Sequence, residues 1–130
     1  MKITKEEEDW PFEIEFYEKL IRSNPDFTQA LVVMGELYTK AGMYQKGLEM
    51  DLHLAQLRPE DPIVLYNLAC SYSLLGEINK AFPVMQLAID CGYDDLHHLT
   101  HDRDLKNLLN DNRFKDYLSR IQVDSTQTAL

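Results

Sequence analysis

The chain has 130 residues, 45% of them apolar and 27% charged, the proportions of an ordinary single domain that folds without disulfide staples. No apolar run approaches the roughly 20 residues that span a bilayer. A net charge of −9 argues against a nucleic-acid partner, whose phosphates reward clustered Lys and Arg.

The opening stretch, Met1-Lys-Ile-Thr-Lys-Glu-Glu-Glu-Asp9, lacks the apolar segment that a signal peptide requires, so a soluble cytoplasmic protein is expected. Seven carboxylates fall in the first 20 residues against Lys2, Lys5 and Lys19, which reads as a solvated face. Asp9 is expected to cap a first helix over 10–24, with Pro11 in its opening turn. Phe12, Phe16, Tyr17 and Leu20 give that helix an apolar stripe, with Trp10 at its entrance. A second helix is predicted from Asp26 to Lys40, with Leu31, Met34, Gly35 and Tyr38 on one face, broken at Ala41-Gly42. Tyr44 to Leu57 follows, apolar on two sides through Leu48, Leu52 and Ala55 and through Met50, Leu54 and Leu57, which implies packing between neighbours.

Arg58-Pro59 closes that unit, and the plan then starts again. Asp61-Pro62 supplies a cap and a first-turn proline. Leu65, Leu68, Ala69 and Tyr72 lie on the next helix, Leu75-Gly76 turns it, and Ala81, Met85 and Ala88 face inward on the returning one. Leu31, Met34, Gly35, Tyr38, Gly42, Lys46 and Gly47 are thus answered by Leu65, Leu68, Ala69, Tyr72, Gly76, Lys80 and Ala81, each 34 residues on. Such a period marks a helical repeat that cannot bury its apolar face alone.

After Cys91-Gly92 the echo ends, with Tyr93 where a third proline would fall. Asp95 to Leu99 and Asp104 to Leu109 read as short turns of helix, and a last helix from Asn112 to Gln122 carries Phe114, Leu118 and Ile121 on one face, as a terminal cap would. Residues 123–130 are expected to fray as a flexible tail. Cys70 and Cys91 form neither a zinc spacing nor a redox pair and read as apolar residues of a reducing compartment.

Leu31-Met34-Gly35-Tyr38 and Leu65-Leu68-Ala69-Tyr72, followed by Gly47, Leu54 and Pro59 and by Ala81 and Ala88, resemble the tetratricopeptide repeat (TPR) family. The resemblance covers two repeats, 26–59 and 60–93, preceded by a half-repeat helix and followed by a capping extension over 94–122 that is similar to one found in bacterial members. It implies an all-α fold, a short right-handed superhelical array of antiparallel helix pairs within a domain of residues 1–122. Three positions depart from the pattern. Asp51 stands at an aromatic position opposite the space left by Gly47, either wetted by a rotated helix, the reading favoured here, or hydrogen-bonded to a neighbouring Tyr or Arg. Pro83 falls early in its helix, where it deletes a backbone hydrogen bond and kinks the axis. Leu54 is bulkier than the usual alanine.

The family typically uses the concave face of its first helices to hold a peptide or helix of another protein. Here that face implies Gln29, Val32, Val33, Glu36 and Lys40 from one repeat, and Ile63, Tyr66, Asn67, Cys70 and Leu74 from the next. The alternative is that the chain's own ends cover it. The carboxylate clamp of chaperone-binding members is absent, since its positions fall on Val32 and Glu36, and only Asn67 survives. Asn67→Ala and Tyr66→Ala are expected to weaken partner capture without unfolding the domain.

No catalytic residue, metal or cofactor is expected. His97, His98 and His101, beside Asp102 and Asp104, form the candidate metal cluster, but they lack the intervening Glu of hydrolytic zinc helices, and Thr100-His101-Asp102 reads as a turn. Cys70 has no suitable histidine or oxyanion element beside it. A homodimer through the first helix, with Trp10, Phe12 and Phe16, is the remaining alternative.

Overall fold

Three glycines set the turns of the chain: Gly42, Gly76 and Gly92 have φ of 77°, 75° and 116°, a region that side chains with a Cβ avoid. The computed structural model describes the backbone of residues 5–128 and the side chains of residues 10–122. Among the described residues there are only helices and turns: α1 (Lys5–Ser23), α2 (Thr28–Lys40), α3 (Tyr44–Leu57), α4 (Pro62–Leu74), α5 (Ile78–Asp90), α6 (Leu96–His101), a 3₁₀ turn (Arg103–Leu105), α7 (Lys106–Leu109) and α8 (Asn112–Thr128). The fold is all-α. No helix among these residues is long and apolar enough to cross a membrane.

The helix pairs α2–α3 and α4–α5 repeat in local detail. Thr28 and Pro62, which open α2 and α4, stand 34 residues apart, as do Tyr44 and Ile78, which open α3 and α5. In each pair the first helix ends in the same wrapped turn. Met43 N–H donates to the Tyr38 carbonyl at 2.8 Å, and Glu77 N–H donates to the Tyr72 carbonyl at 2.9 Å, so glycine and its successor satisfy carbonyls the helix leaves open. Lys46 lies over the Tyr38 ring at 5.6 Å, and Lys80 lies over Tyr72 at 5.9 Å. Asp61 caps α4, its side chain accepting from the N–H groups of Ile63 and Val64, with Pro62 at the first helical position.

Consecutive helices pack in chain order, α1 on α2, α2 on α3, α3 on α4 and α4 on α5. The segment after α5 folds back: the 3₁₀ turn and α7 pack on α4, and α7 also contacts α5 and α8. The main core joins Leu65 and Ala69 of α4 to Ala81, Met85 and Ala88 of α5, and to Leu99, Leu105, Leu108 and Phe114 of the C-terminal segment. Ser73, fully buried at the end of α4, fastens that segment. Its Oγ accepts from Leu108 N–H at 3.1 Å, and its carbonyl accepts from the Asn107 carboxamide at 2.8 Å. A smaller cluster of Leu31, Leu54 and Val64, with Ile21 against it, holds the first pair.

Several expectations are corrected. α1 begins at Lys5, so Asp9 falls inside the helix and not at its cap, and Pro11 lies past the first turn; the Asp9 side chain is outside the described residues. At its other end α8 is helical to Thr128, beyond the Gln122 at which it is expected to end; the side chains beyond 122 and all of 129–130 are outside the described residues. Pro83 lies inside α5 (Ile78–Asp90), past its first turn, where it has no N–H to give the Asn79 carbonyl, and the helix continues beyond it. His101 is the last residue of α6 and not part of a turn. Both cysteines are free thiols.

Candidate functional site

A cleft of about 210 Å³ opens between α2, α4 and the C-terminal segment, with α3 contributing one residue to its floor. Val32, Glu36 and Lys40 reach it from α2, and Tyr66, Asn67, Cys70 and Leu74 reach it from α4. Three of the expected residues are elsewhere. Val33 is half-buried and lines no part of the cleft; Ile63, 56% exposed, borders an adjoining hollow with Asn67, Tyr93 and Asp95. Gln29 is exposed at the start of α2, away from the cleft.

The second-repeat end of the face is covered by the chain itself. Asp102 reaches across from the C-terminal segment, and its Oδ2 accepts from Tyr66 Oη at 2.6 Å and from Cys70 Sγ at 3.9 Å. His98 Nε2 stands 3.4 Å from the same oxygen, and Asp102 Oδ1 accepts from Asp104 N–H at 3.0 Å. Tyr66 is also stacked on Tyr93, with centroids 4.3 Å apart, and is only 5% exposed. Tyr66 is therefore a core residue that ties α4 to the C-terminal segment. Tyr66→Ala would open the core, which overturns the expectation that it leaves folding intact. The Asn67 carboxamide, by contrast, is half-buried and makes no hydrogen bond among the described residues.

Asp51, expected to be wet, is 7% exposed. Its partner is neither Tyr nor Arg: Ser71 Oγ donates to Oδ2 at 2.5 Å. The space it uses is made by Gly35, since a Cβ there would lie 3.1 Å from Asp51 Oδ1. Gly47 instead makes room for Thr39, whose Oγ1 would lie 3.0 Å from a Cβ at that position. Asp51, Ser71, Thr39, His98, Asp102 and Asp104 were not among the residues expected to line the groove. Asp51 carried a signal, as a carboxylate at an aromatic position, whereas His98, Asp102 and Asp104 stood out only as members of the candidate metal cluster.

The electrostatics follow from this crowding. Burial pushes the Asp51 carboxyl up from 3.8 to about 6; the Ser71 hydrogen bond opposes the rise and the Glu36 charge adds to it. Burial and the neighbouring Asp102 raise Asp104 as well. Burial, then the charges of Asp102, Asp104 and Asp51, push the Cys70 thiol well up, the opposite of what a thiolate nucleophile requires.

The histidines do not converge. His97 and His101 lie ring to ring, 4.4 Å between centroids, with His101 Nδ1 donating to the His97 carbonyl at 2.8 Å, while His98 turns toward Asp102 and Tyr66. Among the described residues no three His, Cys, Asp or Glu side chains group closely enough to hold a metal ion.

No family model matches the chain. It is similar to a chloroplastic protein of Arabidopsis thaliana, 28% identical over 89 residues, a match covering 66% of this chain and 27% of that protein. The chain therefore corresponds to about a quarter of that relative, a likeness too low and too partial to carry family or activity.

The Asp51 shift has a definite sign. A carboxyl whose folded value lies above its unfolded one binds more protons in the native state, so its contribution is fully present below pH 3.8 and is lost as pH rises through about 6. The shift corresponds to at most about 3 kcal/mol. Asp51→Asn retains an acceptor for Ser71 and removes the charge. In urea melts it is expected to be about 1–3 kcal/mol more stable than the parent at pH 8 and equal to it near pH 3.5. A variant less stable than the parent at pH 8 would contradict the buried, uncompensated carboxylate.

Proposed function

We propose that this chain is a non-catalytic interaction module of TPR-like design, a short right-handed superhelical array that holds an extended segment of another protein in the cleft between α2 and α4. The observation that carries the reading is the joint construction of that cleft: Val32 and Leu74 offer apolar contact, and the Asn67 carboxamide is uncommitted and can pair with a peptide backbone. The 34-residue repetition of helix pairs supports the TPR-like part of it. The bound segment enters over Val32, Glu36 and Lys40, because Asp102 and His98 occupy the far end. The protein works in the cytoplasm or another reducing compartment, free of nucleic acid and membrane, and needs no cofactor.

A photo-crosslinking side chain at position 67 tests this. In native lysate it is expected to trap a discrete partner band, whereas the same group at position 87, exposed on α5, is expected to trap none. Equal labelling from both positions would place the partner outside the cleft.

Self-association through α1 is the second reading. Phe12 and Phe16 are 74% and 55% exposed on one helix face, beside a hollow lined by Trp10, Pro11, Ile14 and Met43. A second copy would cover them. Sedimentation velocity is then expected to return a dimer that Phe12→Ser with Phe16→Ser converts to monomer; a parent that sediments as a monomer at all concentrations removes this reading.

A further inference from the structure

The cleft carries four carboxylates, Glu36, Asp51, Asp102 and Asp104, against Lys40 as its one lysine or arginine. Two of the four are engaged differently from the rest. Asp102 is bonded to Tyr66 and lies beside His98, whereas Asp51 is nine-tenths buried with no cation in contact. Ser71 donates to Asp51 Oδ2, but among the described residues Oδ1 has no donor. Among the described residues no fully buried side-chain oxygen lacks a partner. Oδ1 is therefore not fully enclosed, and it sits over Gly35 on the cleft wall. A carboxylate taken out of water without a cation or a full set of donors is expensive, and a ligand that supplies both would relieve it.

We propose that this cleft is a socket for a single arginine side chain of the bound segment, its guanidinium seated between Asp51 Oδ1 and Glu36. The assignment rests on the groove reading above and specifies the chemistry of its occupant. Size agrees. At about 210 Å³ the cleft is smaller than the roughly 300 Å³ at which pockets begin to enclose whole small ligands, and it suits one side chain entering from a chain laid across its mouth. Charge agrees, since the surplus is negative and an acidic or C-terminal carboxylate ligand would be repelled. Donor geometry agrees too. The carboxylates are too dispersed to converge on one metal ion, but a planar guanidinium with five N–H donors can address separate acceptors, and it sheds water more readily than an ammonium. Val32 and Leu74 line the same cleft, where the aliphatic stem of the arginine would lie.

The test uses the full chain labelled with ¹⁵N and two acetylated, amidated pentapeptides, Ala-Ala-Arg-Ala-Ala and the same peptide with citrulline, the uncharged isostere of arginine. The arginine peptide is expected to move the amide signals of Gly35, Glu36 and Ser71 saturably. The citrulline peptide is expected to bind at least about tenfold more weakly, the loss of one charge-assisted contact. Asp51→Asn, which keeps the Ser71 hydrogen bond, is expected to weaken the arginine peptide by a similar factor. Glu60→Gln, an exposed charge between α3 and α4, is expected to leave it unchanged and so separates the socket from general attraction to an acidic protein. Equal binding of both peptides in the cleft would overturn the socket and leave the groove reading standing. Indifference of the arginine peptide to Asp51→Asn, or shifts spread over the whole acidic surface, would also overturn it. The crosslink at position 67 reports on the groove independently of all three.

Discussion

Helix α4 is buried on every side but a narrow strip along Ile63, Asn67 and Leu74. Val64, Leu65, Tyr66, Leu68, Ala69, Cys70, Ser71 and Ser73 are all buried, and they cover most of the circumference of the helix. A helix of that kind is stable only when enclosed, and much of the remaining structure encloses it. α3 covers one side and α5 another, while the 3₁₀ turn and α7 return to close a third. The polar groups on α4 are used as fasteners. Ser73 takes the Leu108 N–H, Tyr66 gives its hydroxyl to Asp102, and Ser71 gives its hydroxyl to Asp51. Each tie joins α4 to a different element or a different part of the returning segment, so each burial is also a positional constraint.

The cleft is what that enclosure leaves open. The returning segment covers α4 at Tyr66 and Cys70 and stops short of the α2 face, so Val32, Glu36 and Lys40 border free space while Tyr66 and Cys70 are roofed. Because Asp102 enters from the roof and Asp51 from the floor, the opening is negative on two sides. The pairing of Gly35 with Asp51 is the most specific feature of the floor. Without the missing Cβ the carboxylate would have to move, and with it the hydrogen bond from Ser71.

Most of the helical plan was legible in the sequence, because it depends on local chemistry. Gly42 and Gly76 end helices where positive φ is needed, Asp61-Pro62 starts one where a cap and a missing N–H are welcome, and the apolar spacing of α2 and α4 repeats with them. Residues Val32, Glu36, Lys40 and Asn67 could be named for the same reason, since a helix face follows from spacing alone. The contacts between distant residues could not. Nothing near Asp102 announces that its carboxylate meets Tyr66 across 36 positions, for the short turns of 94–109 carry no period that fixes their direction. Asp51 misled for a related reason. A carboxylate is expected to seek water, and its burial depends on a hydroxyl on α4 and a missing Cβ on α2, a coincidence that no single helix displays. The start of α1 was missed because Asp9-Trp10-Pro11 imitates a cap while the helix runs through it.

The central claim is that Asp51 is buried in the cleft floor as a carboxylate without a cation. Its own titration tests this most directly, followed through the side-chain carboxyl carbon by ¹³C NMR from pH 3 to pH 8. A midpoint near 6 is expected, since burial dominates over the Ser71 hydrogen bond. A midpoint at or below the ordinary 3.8 would mean that a cation or a fuller set of hydrogen-bond donors already satisfies the carboxylate in the free protein, and that Asp51 has no vacant place to offer a cationic ligand.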